Sequence, residues 1–178
     1  GGIADPREVA DRYRAASLGQ VSAAEFWAAV GVAGDAGDLD AEYLSGVRLR
    51  PDVPAFLDQM ARREMTVACL TNAVLPWTLA LRKRLDLDGL IRHWVVSGEV
   101  GARKPGQAMF EALRRMSGVS FSNMLLIESE IATLEAARTM GMSTVLMSGT
   151  ALVPEGFTHP TINSFSGLFH QKDDQSQG

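Results

Sequence analysis

Between Met65 and Met147 the sequence alternates short apolar runs with amphipathic segments, and this rhythm constrains the fold more than any other feature. The runs are "MTVACL", "HWVV", "NMLLIE" and "STVLM". Between them lie the helix-forming stretches "LPWTLALRKRLDL", "GQAMFEALRRMSG" and "EIATLEAARTMGM". Strands that alternate with helices over short connections form βα units, so the chain is expected to be α/β, with a parallel sheet flanked by helices. The runs are continuously apolar, as strands buried on both faces are. A chain of 178 residues is long enough for one well-buried domain, or one domain with a small added lobe.

The first fifty residues have a different character and contain no strand pattern. "DPREVADRYRAASLG" places Pro6 in a first helical turn and stops near Gly19. "VSAAEFWAAVG" opens on Ser22 with Glu25 three residues later, the spacing of a capping box, and stops at Gly31. "GVAGDAGDLD" then reads as a loop and "LDAEYLSG" as a turn of helix, before "PDVPAFLDQMARRE" presents Val53, Phe56, Leu57 and Met60 on one helical face. The expected division is a helical region at 1–50, an α/β core at 51–170 and a polar, disordered tail at 171–178. Within the core, "TINSFSGLFH" is expected to add a short strand and a turn of helix.

Charge and cysteine content narrow the partners. A formal charge of -4 offers no attraction to nucleic acid or to an anionic membrane. The single cysteine, Cys69, excludes an intrachain disulfide and points to a reducing, cytoplasmic setting. No apolar run reaches the roughly 18 residues a membrane helix needs, and the N-terminus lacks a signal pattern.

In a parallel α/β sheet, ligands bind beyond the carboxyl ends of the strands. Three sets of residues fall there. Thr71 and Asn72 follow "MTVACL"; as a hydroxyl and an amide beside a helix start they either hold an anion or cap the helix. Lys104, between Arg103 and Pro105, follows "HWVVSG", a compact charge suited to phosphate or carboxylate unless it is a solvated surface lysine. Glu128, Ser129 and Glu130 follow "NMLLI". There Glu128 either ligates magnesium or is solvated, with Ser129 as helix N-cap and Glu130 favouring the helix start. No Gly-rich phosphate loop, CxxC, HExxH or GxSxG is present, and His93, His159 and His170 fall at unrelated places.

In order, these segments resemble the haloacid dehalogenase (HAD) superfamily of phosphatases and dehalogenases. "VACLTNA" is similar to its second motif, "GARKPGQAMFEALRR" to its third, and "MLLIESEIATLEAARTMGMSTVLM" to its fourth, so the resemblance covers about Val53 to Met147. It implies a Rossmann-like core and an N-terminal α-helical cap over the substrate entrance. It also implies an anion site at Thr71, Asn72 and Lys104, with Glu128 as the vestige of a magnesium site.

Two departures stand against an active enzyme of that family. The first motif, an Asp-x-Asp at the end of a leading strand, supplies nucleophile and acid/base, and "GGIADP" does not match it; no catalytic nucleophile is identifiable. The fourth motif usually carries two aspartates where Glu128 and Ser129 stand. Glutamate adds a methylene that moves its carboxylate by about 1 Å or more, a displacement octahedral magnesium tolerates poorly. The expected function is therefore a catalytically degenerate binding or protein-interaction module without a cofactor. The alternative is an active phosphate monoester phosphatase or haloacid dehalogenase whose nucleophile strand lies outside this chain, with magnesium needed only in that case. Without that strand "MTVACL" and "NMLLIE" each keep an open edge, which invites a second chain or a homodimer to complete the sheet. A small anionic ligand is the other expected partner.

Overall fold

The computed structural model describes residues 4–149 and 156–169. The expected tail at 171–178 and His170 lie outside them. The described residues belong to two compact units, residues 1–49 with 66–116 and residues 50–65 with 117–178.

In the first unit, α1 (Pro6–Ala16) starts on Asp5, whose carboxylate accepts from the N–H groups of Arg7 and Glu8. α2 (Ala23–Ala29) has the expected capping box: Glu25 N–H donates to Ser22 Oγ at 3.2 Å and Ser22 N–H donates to the Glu25 carboxylate at 2.7 Å. α3 (Ala36–Ser45) is longer than expected. Asp35 caps it by accepting from Gly37 and Asp38, so half of the Gly/Asp-rich stretch is helix rather than loop. The helices pack on α5 (Leu75–Arg84) through Ala16, Phe26, Val30, Leu44, Val74 and Trp77. One carboxylate oxygen of Asp40 accepts from both the Trp27 and Trp77 indoles, at 2.7 and 2.6 Å, tying α2, α3 and α5 together. Gly19 is required where α1 ends: its φ is 72°, and a Cβ would lie 2.6 Å from the Gly98 carbonyl oxygen.

The strands of this unit, β1 (Ala68–Thr71) and β2 (His93–Val96), are parallel, with Ala68 opposite His93 and Thr71 opposite Val96. A single turn of helix, α6 (Ser97–Val100), and then α7 (Gln107–Ser117) follow, α7 burying Met109, Phe110 and Leu113.

The second unit contains α4 (Val53–Arg62), then β3 (Leu125–Glu128), α8 (Ile131–Thr139), β4 (Ser143–Met147) and β5 (Thr161–Ile162), in the parallel order β3-β4-β5. Its core joins Val145, Met147 and Ile162 to Ile127, Phe165 and Leu168, and Phe56 of α4 stacks on Phe165 at 4.5 Å. The expected late strand and helical turn are β5 and the 3-10 turn Phe165–Leu168. His159 is structural: its ring nitrogens lie 2.5 Å from Thr144 Oγ1 and 2.7 Å from a Glu135 oxygen.

Two expectations change. Met65 does not begin the first strand. Glu64 takes a φ of 56° and Met65 N–H closes back on the Met60 carbonyl, so this residue finishes α4 and is 59% exposed. Nor are all strands buried on both faces. β4 is almost wholly buried, but β1 and β3 are only partly so, with Leu125 52% exposed. Among the described residues of its own unit, β1 bonds to β2 alone and β3 to β4 alone.

Candidate functional site

The register of β1 and β2 puts Asn72 and Ser97 side by side, one residue past the level ends Thr71 and Val96. Asn72 does not cap α5, whose N-cap is Val74. Its side chain reaches the third-motif loop instead: Lys104 N–H donates to Asn72 Oδ1 at 2.7 Å, and Asn72 Nδ2 donates to the Lys104 carbonyl at 3.1 Å. An amide that both accepts from and donates to one residue's backbone fixes that residue in position and orientation. Asn72 therefore fixes the Lys104 backbone just past the carboxyl end of a parallel strand. Of the residues expected to bind an anion, Asn72 and Lys104 are joined, and Thr71 ends β1 one residue before them, with Asn72 acting on the loop rather than presenting its amide outward.

A second knot lies beneath the first. Ser97 is fully buried; its hydroxyl donates to the Ser17 carbonyl at 2.5 Å and accepts from Ala73 N–H at 2.9 Å. Ser17, also fully buried, accepts through its own hydroxyl from Arg103. One turn earlier on α1, the Tyr13 hydroxyl donates weakly to the Asn72 carbonyl at 3.5 Å. Burial pushes the Tyr13 phenol up from its ordinary range, the nearby Tyr43 adds to this, and Arg103 opposes it. Residues 13 and 17 share one helical face, so α1 is fastened onto the strand ends by both. Sequence reasoning missed Ser17, Tyr13 and Ser97. The same rule that singled out Asn72 points to Ser97, which directly follows "HWVV"; no local pattern marks Ser17 or Tyr13.

The acidic tip of the second unit is arranged otherwise. Glu128 ends β3 opposite Leu146. Its Oε1 accepts from Ser129 N–H at 2.7 Å, Glu130 N–H at 3.3 Å and the Ser129 hydroxyl at 3.3 Å. Glu128 is thus half-buried in its own turn rather than simply solvated. Ser129 is not the N-cap; Glu130 holds that place without a side-chain cap bond, and its carboxylate accepts from the fully buried Thr133 at 2.7 Å. Among the described residues no group of three or more His, Cys, Asp or Glu side chains could hold a metal ion. Glu128 thus stands as one carboxylate with Oε1 committed to backbone N–H groups and a serine beside it.

Two Asp-x-Asp sequences occur in the chain, and neither stands at a strand end. Asp38 and Asp40 lie in α3, where Asp40 accepts the two indoles. Asp86 and Asp88 follow α5, where Asp88 pairs with Arg82 at 2.6 Å.

The sequence profile of the haloacid dehalogenase-like hydrolases matches residues 6–141. A curated relative, phosphatase MT3486 of Mycobacterium tuberculosis, is 27% identical over 116 residues, which are 65% of this chain and 54% of that protein. The chain therefore spans about half the length of that relative. Among solved structures, a HAD phosphatase from Thermococcus onnurineus superposes with a TM-score of 0.75 at 15% identity, covering 91% of this chain and 76% of that one. A HAD enzyme from Bacteroides thetaiotaomicron, solved with magnesium and inorganic phosphate, gives 0.67 at 16% identity, with 87% and 91% covered. These structural likenesses show the fold. No helix among the described residues is long and apolar enough to cross a membrane.

Proposed function

Because this chain belongs to the haloacid dehalogenase-like hydrolases, we propose that it binds a small phosphate-type anion at Thr71 and Lys104 without magnesium, as a catalytically degenerate binding module. The observation that carries this reading is the two-way bond between Asn72 and the Lys104 backbone, which holds a lysine at the end of β1. A lysine ammonium presented by a fixed loop is a point charge suited to a phosphate oxygen, and the Thr71 hydroxyl adds a donor. The inward-turned Glu128 supports the metal-free part of the reading. Since covalent catalysis in this family needs an aspartate at a strand end, and both Asp-x-Asp sequences here are engaged elsewhere, the residues of this chain supply binding rather than the covalent step.

The test is phosphate titration followed by amide chemical shifts, with p-nitrophenyl phosphate hydrolysis assayed in parallel with and without magnesium. Saturable shifts at Thr71 and Lys104, lost in Lys104→Ala, with no turnover, are expected. Turnover that depends on magnesium would overturn the reading in favour of an active phosphatase or dehalogenase, a reading that the similarity to the Mycobacterium phosphatase supports.

The partly buried β1 and β3, with Leu125 exposed, also favour pairing with a strand of a second chain, which light scattering over a concentration series would detect as a dimer.

A further inference from the structure

Asn72 fixes Lys104 from the strand side, and the residue before Lys104 is fixed from another direction. Arg103 is half-buried, and among the described residues its side chain pairs with no carboxylate; its Nη1 donates to the hydroxyl of Ser17, the fully buried residue that ends α1. A neutral hydroxyl holds the guanidinium without cancelling its charge, and a charge-assisted bond of this kind is stronger than one between neutral groups. The Ser17 side of the contact is set in advance. Its hydroxyl donates to the Arg14 carbonyl at 2.9 Å, which turns the lone pairs to Arg103, while the Ser17 carbonyl accepts from Ser97 Oγ at 2.5 Å. Arg103 also pulls on the Tyr13 phenol, against burial and Tyr43, as a guanidinium lying along this face of α1 would.

The loop passes this hold on to Lys104. Gly106 N–H donates to the Arg103 carbonyl at 2.8 Å and closes residues 103–106 into one turn; a Cβ on Gly106 would lie 2.8 Å from that oxygen, so a residue with a side chain would have to open the turn. Lys104 lies inside it. Its backbone is tied to Asn72, and the first residue of its turn is tied to Ser17. A single tie leaves a loop free to pivot about it, whereas two ties on adjacent residues, running to different elements, remove the pivot and hold a binding residue in one place.

We infer that Arg103 is a positioning residue, held by Ser17 of α1 so that Lys104 keeps its place past the end of β1. Through α1 the helical region becomes part of the support of that loop, a task separate from covering an entrance. All of these residues belong to the first unit. For its effect on affinity the inference rests on the reading of Lys104 as an anion-binding residue; for the placement of the loop it stands without it.

Two measurements on the intact chain keep these apart: hydrogen exchange at the Lys104 amide, which donates to Asn72, followed without any ligand, and titration with inorganic phosphate. Ser17→Ala removes no charge, yet its Lys104 amide should exchange at least about tenfold faster and its phosphate affinity should fall at least about fivefold. Arg103→Met should do the same, and it carries the test if the buried Ser17→Ala does not fold. Arg103→Lys should recover part of both effects, and Ser17→Ala should change nothing further in an Arg103→Met background. Arg84→Met, which removes the bonds to the Leu44 and Val47 carbonyls at the end of α3, loosens the helical region away from the loop and should leave both readouts at their wild-type values. Faster Lys104 exchange in the Ser17 and Arg103 variants, in a chain whose wild type shows no phosphate shifts, would uphold Arg103 as a positioning residue and sink the anion reading alone. A Lys104 amide that exchanges at the wild-type rate in Arg103→Met, one that speeds up as much in Arg84→Met, or losses that add in the double variant would overturn the inference.

Discussion

At the ends of β1 and β2, side chains reach distant backbone, Asn72 to Lys104 across 32 residues and Ser97 to Ser17 across 80. At the end of β3, the Glu128 carboxylate bonds within two residues of itself. A long-range bond sets the position of one segment against another, and so can define a site. A local bond shapes a turn and commits its oxygen to that turn. The two strand ends look alike in sequence, each an apolar run closing on polar residues, and they differ in where those polar atoms are engaged.

Breaking the long-range side should have the largest effect. Asn72→Ala leaves the Lys104 N–H and carbonyl without their partner in a half-buried setting; the expected loss is about 3 kcal/mol of stability, together with phosphate affinity at least about tenfold weaker. Denaturant unfolding and phosphate titration measure the two. Stability lost with affinity kept would show that Asn72 serves the fold and not the placement of Lys104. Ser97→Ala removes the hydroxyl that satisfies Ala73 N–H and the Ser17 carbonyl in a fully buried place, and about 2 kcal/mol should disappear from the unfolding free energy. A change within a few tenths of that of an exposed serine variant would mean that these bonds contribute nothing net.

How far this contrast was legible in the sequence follows from the range of the bonds. The capping box of Ser22 and Glu25, the helix start at Pro6 and the strand and helix alternation are set by neighbours within a few residues, and they appear as expected. Thr71, Asn72 and Lys104 were found by a topological rule about strand ends, which needs only element order. The function of Asn72 was not legible, because a cap bond to the next helix and a bond to Lys104 call for the same residue type. Ser17 and Tyr13 were invisible for a related reason: their partners are chosen by packing of α1, and nothing local distinguishes Ser17 from any serine at a helix end. Asp40 sat unnoticed in a stretch read as loop, where acidic and glycine residues imply solvent; two indoles brought by tertiary packing gave it a structural task.

The local side of the comparison should break more gently. Glu128→Gln keeps an oxygen that accepts from Ser129 and Glu130 but loses the charge, so a loss of about 1 kcal/mol or less is expected. Millimolar magnesium should leave the thermal midpoint of the wild-type chain where it is. A midpoint that rises with magnesium, and ceases to rise in Glu128→Gln, would show that the carboxylate turns outward to a metal and would erase the contrast between the two ends.

The smallest effects concern pH, and they sharpen the comparison because a carboxylate with a depressed pKa stands in each unit, Glu25 in the first and Asp52 in the second. In the first unit, Glu25 is lowered by the Ser22 N–H and then by the Ser22 hydroxyl. In the second, Asp52 is lowered chiefly by Phe165 N–H, with Arg50 assisting. A depressed folded pKa means the unfolded chain takes up the proton first. The stabilisation is therefore complete above the unfolded value and is lost as pH falls through the folded one. Urea midpoints measured from about pH 6 down to pH 3 should fall, since ordinary carboxylates titrate near pH 4. Asp52→Asn should start lower than wild type and decline less steeply, the two curves drawing together in acid; Glu25→Gln should behave likewise through the α2 cap. Curves that stay parallel for Asp52→Asn would mean the carboxylate gains nothing from Phe165.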